Sequence, residues 1–208
     1  PNLRQVNINC RKVNEMEVLQ ALDLKVLYFV NHTLSNSFFD WLMPLMRHKL
    51  TWIPLYLVII YLIIRRYGWK SIWVLLFAVL AVVVSDQISS GLIKPFFERV
   101  RPSNNPNLAA WLNLPNGHGN GWSFVSSHAS NHFALSVYLI HVFLRYSYQY
   151  KVILPLLCWA ALVSFAQVYI GFHYPSDVVV GGLLGIAIGH AFGKLNCLVL
   201  CMRSGDKI

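Results

Sequence analysis

Apolar and polar positions alternate in blocks along this chain rather than residue by residue. "TWIPLYLVIIYLII" (51–64) is closed by the cationic break "RRYGWK" (65–70), and "SIWVLLFAVLAVVVSDQISSGLI" (71–93) follows. The latter is long enough to cross a hydrocarbon core of about 30 Å. A polar loop rich in Pro, Gly and Asn occupies 94–127. Further apolar runs cover 128–144, 152–172 and 177–201, with "RYSYQYK" (145–151) between the first two. Small residues in "GGLLGIAIG" of the last run predict close approach of a neighbouring helix. Upstream, residues 16–33 place apolar side chains at helical spacing, with Glu17, Asp23 and Lys25 opposite. That pattern predicts an amphipathic helix at the membrane interface or against the bundle. "SNSFFDWLMPLM" (35–46) is interrupted by Asp40 and Pro44, which leaves the number of spans at five to six. The expectation is an all-α integral membrane bundle, with a polar tail at 1–15 and one domain over 16–208.

Composition agrees with lipid as the solvent. Hydrophobic residues make up 56% of the chain and charged residues 12%, where a soluble domain carries about 25% charge. The net charge of +9 raises nucleic acid as a partner. Its Lys and Arg, however, sit between apolar runs, the arrangement that meets lipid headgroups and fixes orientation. No nucleic-acid partner is expected. Of the four cysteines, Cys158, Cys197 and Cys201 fall in apolar helical runs and are expected to be buried structural thiols. Cys10 lies in the polar tail. Residues 1–15 lack the apolar core of a cleavable signal peptide, and Met16 stands as a plausible start.

Charge also sets topology. Arg65, Arg66 and Lys70, then Arg145 and Lys151, then Lys194, Arg203 and Lys207 fall on one side if the spans alternate. The positive-inside rule makes that side cytoplasmic, against a weakening contribution from Arg47 and Lys49. The 94–127 loop and the 173–177 turn then share the outer face.

Three polar segments converge on that face. "KPFFERVRP" (94–102) offers Lys94, Arg99 and Arg101, either snorkelling to headgroups or forming a phosphate cradle. "FVSSHASNH" (124–132) puts Ser126 and Ser127 at a helix N-terminus, where free N–H groups favour an anion. His128 stands in the first turn and His132 one turn on, the latter open to a purely packed role. In "YIGFHYPSD" (169–177), Asp177 suits an N-cap and can also accept a hydrogen bond from His173. Such a bond fixes the imidazole tautomer and leaves the other nitrogen as a nucleophile.

Taken together, Lys94-x6-Arg101-Pro102, Ser126-Ser127-His128 and His173-x3-Asp177 resemble the three-part signature of the type 2 phosphatidic acid phosphatase superfamily. That group includes bacterial membrane lipid phosphatases, glucose-6-phosphatase and vanadium haloperoxidases. The likeness spans residues from about 20 to 200. It implies phosphate hydrolysis through a phosphohistidine, with no metal and no cofactor. His173 would be the nucleophile, Asp177 its orienting partner and His128 the proton donor and water activator. Lys94, Arg101, Ser126 and the backbone near Ser127 would hold the phosphoryl oxygens.

The chain departs from that pattern twice. Ser127 stands where the family has Gly, and Gln167 stands where it has Arg, five residues separating it from His173. A neutral amide there implies a slower, retuned or inactive site, and Gln167→Arg is expected to raise kcat/KM. The resemblance implies a lipid phosphate as substrate: undecaprenyl diphosphate, a lipid A phosphate or phosphatidylglycerophosphate. It also implies a bacterial inner membrane, with the site facing the periplasm or exterior. Oligomeric state is left open. Two rivals remain: a family member that only binds lipid phosphates, and a transporter using Asp86 and Gln87 within the second span.

Overall fold

The computed structural model describes residues 17–145 and 150–204, the side chains of 150 and 202–204 excepted. The polar tail at 1–15, most of the 145–151 break and Lys207 lie outside these residues. Every regular element is helical, and no strand forms among the described residues. Helix α1 (residues 17–28) runs into a wider turn, Phe29–Thr33. Helices α2 (Ser37–Arg47) and α3 (Ile53–Tyr67) follow. Helix α4 (Ser71–Asp86) is continued by a π-type segment, Gln87–Ile93, and a last turn, Lys94–Phe97. Helices α5 (Ser127–Leu144), α6 (Ile153–Tyr169) and α7 (Pro175–Ser204) complete the bundle.

Local chemistry sets several of these limits. The Asn36 side chain accepts from the Phe39 N–H at 3.0 Å and starts α2. The Ser126 hydroxyl accepts from Ala129 N and caps α5. Helix α4 outruns the apolar pattern by four residues, and Pro95, set at the start of the last turn, does not stop it. The left-handed backbone at Glu98 (φ 45°) does. Lys94 therefore sits on a helix, and the loop begins at Glu98 rather than at 94.

Two helical stretches among the described residues are long and apolar enough to cross a membrane, Lys49–Leu108 and Pro175–Cys201. The bundle keeps apolar core clusters, yet unlike a soluble protein it also turns large apolar side chains outward and buries many polar ones. Val79 and Leu183 are 59% and 60% exposed, whereas Ser85, Ser130, Ser136 and Gln167 are fully buried. The buried hydroxyls join helices: Ser85 to Ser130 at 2.6 Å, Ser136 to the Leu156 carbonyl at 2.9 Å, and Tyr138 to the Val74 carbonyl at 2.6 Å. Such bonds and small residues hold helices together where lipid removes the hydrophobic drive between them.

The cysteine expectation needs correction. Cys158 and Cys197 are exposed and Cys201 is half-buried, all as free thiols. An apolar helix position in a bilayer is covered by lipid, so apolar surroundings in sequence do not imply protein cover. Cys197 and Cys201 do share a face, where the Arg145 guanidinium donates to both sulfurs at 2.8 and 3.0 Å.

Helix α7 packs mainly on α5, through the stripe the sequence anticipated. A Cβ at Gly181 would stand 2.6 Å from the Ser126 carbonyl oxygen. One at Gly185 would run into the Ser130 carbonyl and lie 2.9 Å from Ala134 N. Both obstacles are backbone, so the helices must separate. Gly185→Ala is expected to destabilise by about 3 kcal/mol, at the upper end of overpacking changes. The control is Gly91→Ala, whose Cβ meets its nearest neighbour at an ordinary 3.5 Å. Melting temperatures in one detergent compare them, and equal values for the two variants would contradict the packing account.

Candidate active site

The C-terminal ends of α4 and α6 meet the N-terminal ends of α5 and α7 at one end of the bundle. Backbone bonds tie them: Ser126 N to the Asp177 carbonyl at 3.0 Å, and Ser103 N to the Gly171 carbonyl at 2.8 Å. Beyond α6 the chain must reverse sharply to enter α7. Gly171 does this with φ +73°. The Phe172 and His173 N–H groups then both fold back onto the Gln167 carbonyl, at 3.1 and 3.2 Å. His173 is thereby presented from a rigid turn, itself only 2% exposed.

The His173 ring is fixed on both sides. Its Nε2 lies 3.2 Å from Arg101 Nη1. A guanidinium can only donate, so Nε2 is the acceptor and Nδ1 carries the hydrogen. Nδ1 faces Asp177 Oδ2 and Ser123 Oγ, each at 3.5 Å. Asp177 is held in turn by every neighbour. Oδ2 accepts from the Ser123 hydroxyl and, at 2.9 Å, from the Tyr174 N–H. Oδ1 accepts from Arg99 at 2.5 Å. Asp177 is thus not the N-cap of α7, as the sequence suggested. It is the third helical residue and reaches back to the N–H before the helix, one half of a capping box. Burial pushes the His173 imidazole down to about 4, against the raising effect of its Asp177 hydrogen bond. At neutral pH the ring is uncharged, with a free lone pair on Nε2 once Arg101 finds another acceptor.

Lys94, Arg101, Ser127, His128, Gln167 and His173 all line one cavity of about 490 Å³. Asp177 and Ser126 stand behind its wall: Ser126 is fully buried, its hydroxyl spent on the α5 cap. The Ser127 hydroxyl meets Ser90 at 2.8 Å, while the His128 ring carries no protein hydrogen bond among the described residues and is open to the cavity. His132 Nδ1 donates to the His128 carbonyl at 2.8 Å, and its ring meets Trp159 edge-on. Asp86, which invited a transporter reading, accepts from Asn131 at 2.9 Å and lines the same cavity.

Four participants escaped the sequence reading. Sequence position groups Arg99 with Lys94 and Arg101, yet its guanidinium donates to Asp177 and, at 2.7 Å, to Asp23. The helical periodicity puts Asp23 on the wet face of α1. It is 7% exposed and also accepts the Ser176 N–H at 2.8 Å. Ser123 and Arg47 come from a loop and from the last turn of α2. No spacing in the sequence links any of these to the His173 turn.

The bundle and its cation-lined, two-histidine cavity define an integral-membrane phosphatase. The chain belongs to the PAP2 superfamily, whose family model matches residues 75–196. It is 32% identical to a lipid A 4'-phosphatase of Bacteroides thetaiotaomicron, over 82% of this chain and 75% of that one. A lipid A 4'-phosphatase of Porphyromonas gingivalis is 30% identical, over 80% and 68% of the two chains. Among solved structures, Aquifex aeolicus LpxE matches with TM-score 0.62 and 25% identity, covering 83% of this chain and 95% of that one. A PAP2 type phosphatidylglycerolphosphate phosphatase from Bacillus subtilis shares the fold, with TM-score 0.64, 20% identity and 85% of each chain covered.

Proposed function

We propose that this protein removes a phosphate group from a lipid A-type glycolipid, through a phosphohistidine formed on His173. The observation that carries the reading is a neutral, carboxylate-oriented imidazole whose Nε2 opens on a cationic cavity. The names of the two curated relatives favour lipid A phosphate over undecaprenyl diphosphate or phosphatidylglycerophosphate.

Phosphate oxygens replace His173 Nε2 as the acceptor of the Arg101 N–H, which frees the lone pair. Nε2 attacks phosphorus while the bond to the lipid oxygen breaks, and that oxygen takes a proton through His128, the proton entering the cavity with the monoanionic phosphate ester. Neutral His128 then takes a proton from water, whose oxygen attacks the phosphohistidine and releases inorganic phosphate. Asp177 stabilises the imidazolium of the intermediate, and Lys94 and Arg101 neutralise charge on the equatorial oxygens. Helices α3 to α7 cross the bilayer, with α1 along the interface. The cationic turns face the cytoplasm of a bacterial inner membrane, and the cavity faces the other side.

The test is phosphate release by the purified protein in nanodiscs, offered lipid A, undecaprenyl diphosphate and phosphatidylglycerophosphate in turn. Release is expected, fastest from lipid A, undiminished by EDTA and blocked by vanadate, which imitates five-coordinate phosphorus. No release from any of the three would overturn the reading. Loss in EDTA with recovery on adding a divalent ion would replace the phosphohistidine route by a metal-dependent one.

A further inference from the structure

The cavity holds a cation that no sequence motif includes. Arg47 is the last residue of α2, and the extended backbone of His48 ends the helix immediately after it. Its Nε donates to Gln167 Oε1 at 3.3 Å, and its guanidinium carbon lies 4.5 Å from the Phe172 ring centroid. Both partners are neutral. Arg101 lies over the same ring, at 5.6 Å, and its partners are the carbonyls of Gly121 and Phe172 and the imidazole of His173, again neutral. Arg99 differs, with two carboxylates in contact. Among the described residues, Arg47 and Arg101 have no carboxylate at ion-pair distance.

Gln167 supplies an independent observation. It is fully buried and lines the cavity, and its Nε2 has no acceptor among the described residues. Buried donors are almost always satisfied. Because Oε1 is taken by Arg47, the amide cannot flip to hide Nε2, so that donor and the Arg47 terminal nitrogens call for oxygen acceptors in the same space. We propose that Arg47 contacts the transferring phosphoryl group directly, supplying from α2 the positive charge that position 167 lacks. Gln167 acts as its positioning partner and as a neutral second donor. This inference rests on the phosphatase reading above.

It reverses one expectation. Gln167→Arg would set a third guanidinium beside Arg47 and Arg101 and remove the acceptor that holds Arg47, so kcat/KM should fall rather than rise. Arg47→Gln should lower kcat/KM about 100-fold, the scale of losing one preorganised charge-stabilising donor. The exchange variant Arg47→Gln with Gln167→Arg should regain at least tenfold over Arg47→Gln, because the charge returns to the same cavity from the other side. Arg47→Lys, keeping charge but losing the two-pronged geometry, should fall between.

Turnover of lipid A is measured beside the melting temperature of each full-length variant in rising inorganic phosphate, which stabilises only through binding. The inference holds if Arg47→Gln loses both turnover and phosphate stabilisation and the exchange variant recovers both. It is overturned if the parent turns over and Arg47→Gln stays within threefold of it, or if the exchange variant is no better than Arg47→Gln. Should the parent release no phosphate at all, the functional reading fails, and phosphate stabilisation alone decides for Arg47: loss in Arg47→Gln supports the contact, an equal rise overturns it. Where Arg47→Gln does not fold, Arg47→Lys and the exchange variant carry the same comparison.

Discussion

His173→Ala is expected to release phosphate about 10⁴-fold more slowly than the parent, or slower, while melting within a few degrees of it. The scale follows from removing a nucleophile, which leaves only binding and electrostatic catalysis. Stability is expected to hold because the ring's contacts are long, at 3.2 and 3.5 Å, and Asp177 keeps its bonds to Ser123, Tyr174 and Arg99. Retained turnover above a tenth of the parent would remove His173 from the nucleophile's role. The pH dependence adds a second reading of the same residue. With its value held at about 4 by burial, His173 stays neutral through the ordinary range, and the acid limb of kcat/KM should fall near pH 4. An acid limb near 6.5 would mean an imidazole titrating as in water. For stability the sign runs the same way: the unfolded chain binds the proton first, so stability is full above about 6.5 and is lost as pH falls towards 4. His173→Ala should flatten that part of the curve.

Arg99→Ala is expected to cost about 3–5 kcal/mol, since it strands two buried carboxylates at once. Asp23 and Asp177 are 7% and 0% exposed, and Arg99 bridges them at 2.7 and 2.5 Å. For a chain of this size that corresponds to a melting temperature lower by roughly 10 °C or more. Turnover should fall as well, because Asp177 loses the partner that fixes Oδ1 and so orients His173 less firmly. Arg99→Lys should recover little, since a point charge cannot span both carboxylates while stacking 3.9 Å over Tyr174. Stability unchanged in Arg99→Ala, with only KM raised, would instead return Arg99 to the phosphate cradle proposed for its sequence neighbours Lys94 and Arg101.

The contrast among the three cations of "KPFFERVRP" marks the limit of what sequence carries. All three were equal candidates on spacing and charge. Lys94 sits on the helical extension and Arg101 just past the turn at Glu98, and both line the cavity. Arg99 leaves in the opposite direction to join α1 to α7. Which way a loop side chain points depends on the path of some thirty loop residues, and no local rule gives that path. The same holds for α1, whose Asp23 reads as part of a wet polar face until Arg99 and Ser176 are seen to cover it.

Composition and block patterning by themselves determined the solvent and the architecture. A chain with 12% charged residues in apolar runs of this length can bury its backbone polar groups in lipid only as helices. The spacing within one turn paired His173 with Asp177, since such short separations survive folding unchanged, whereas only the family resemblance joined His128 to them. The tertiary structure alone decided Arg47, Ser123 and Asp23. Each reaches the site from an element tens of residues away, and the separation in sequence says nothing about a contact made by packing. It also decided the meaning of Gln167. Read along the chain, that residue is a missing charge. In the bundle, α2 brings Arg47 to its amide, and the charge enters the cavity from another helix.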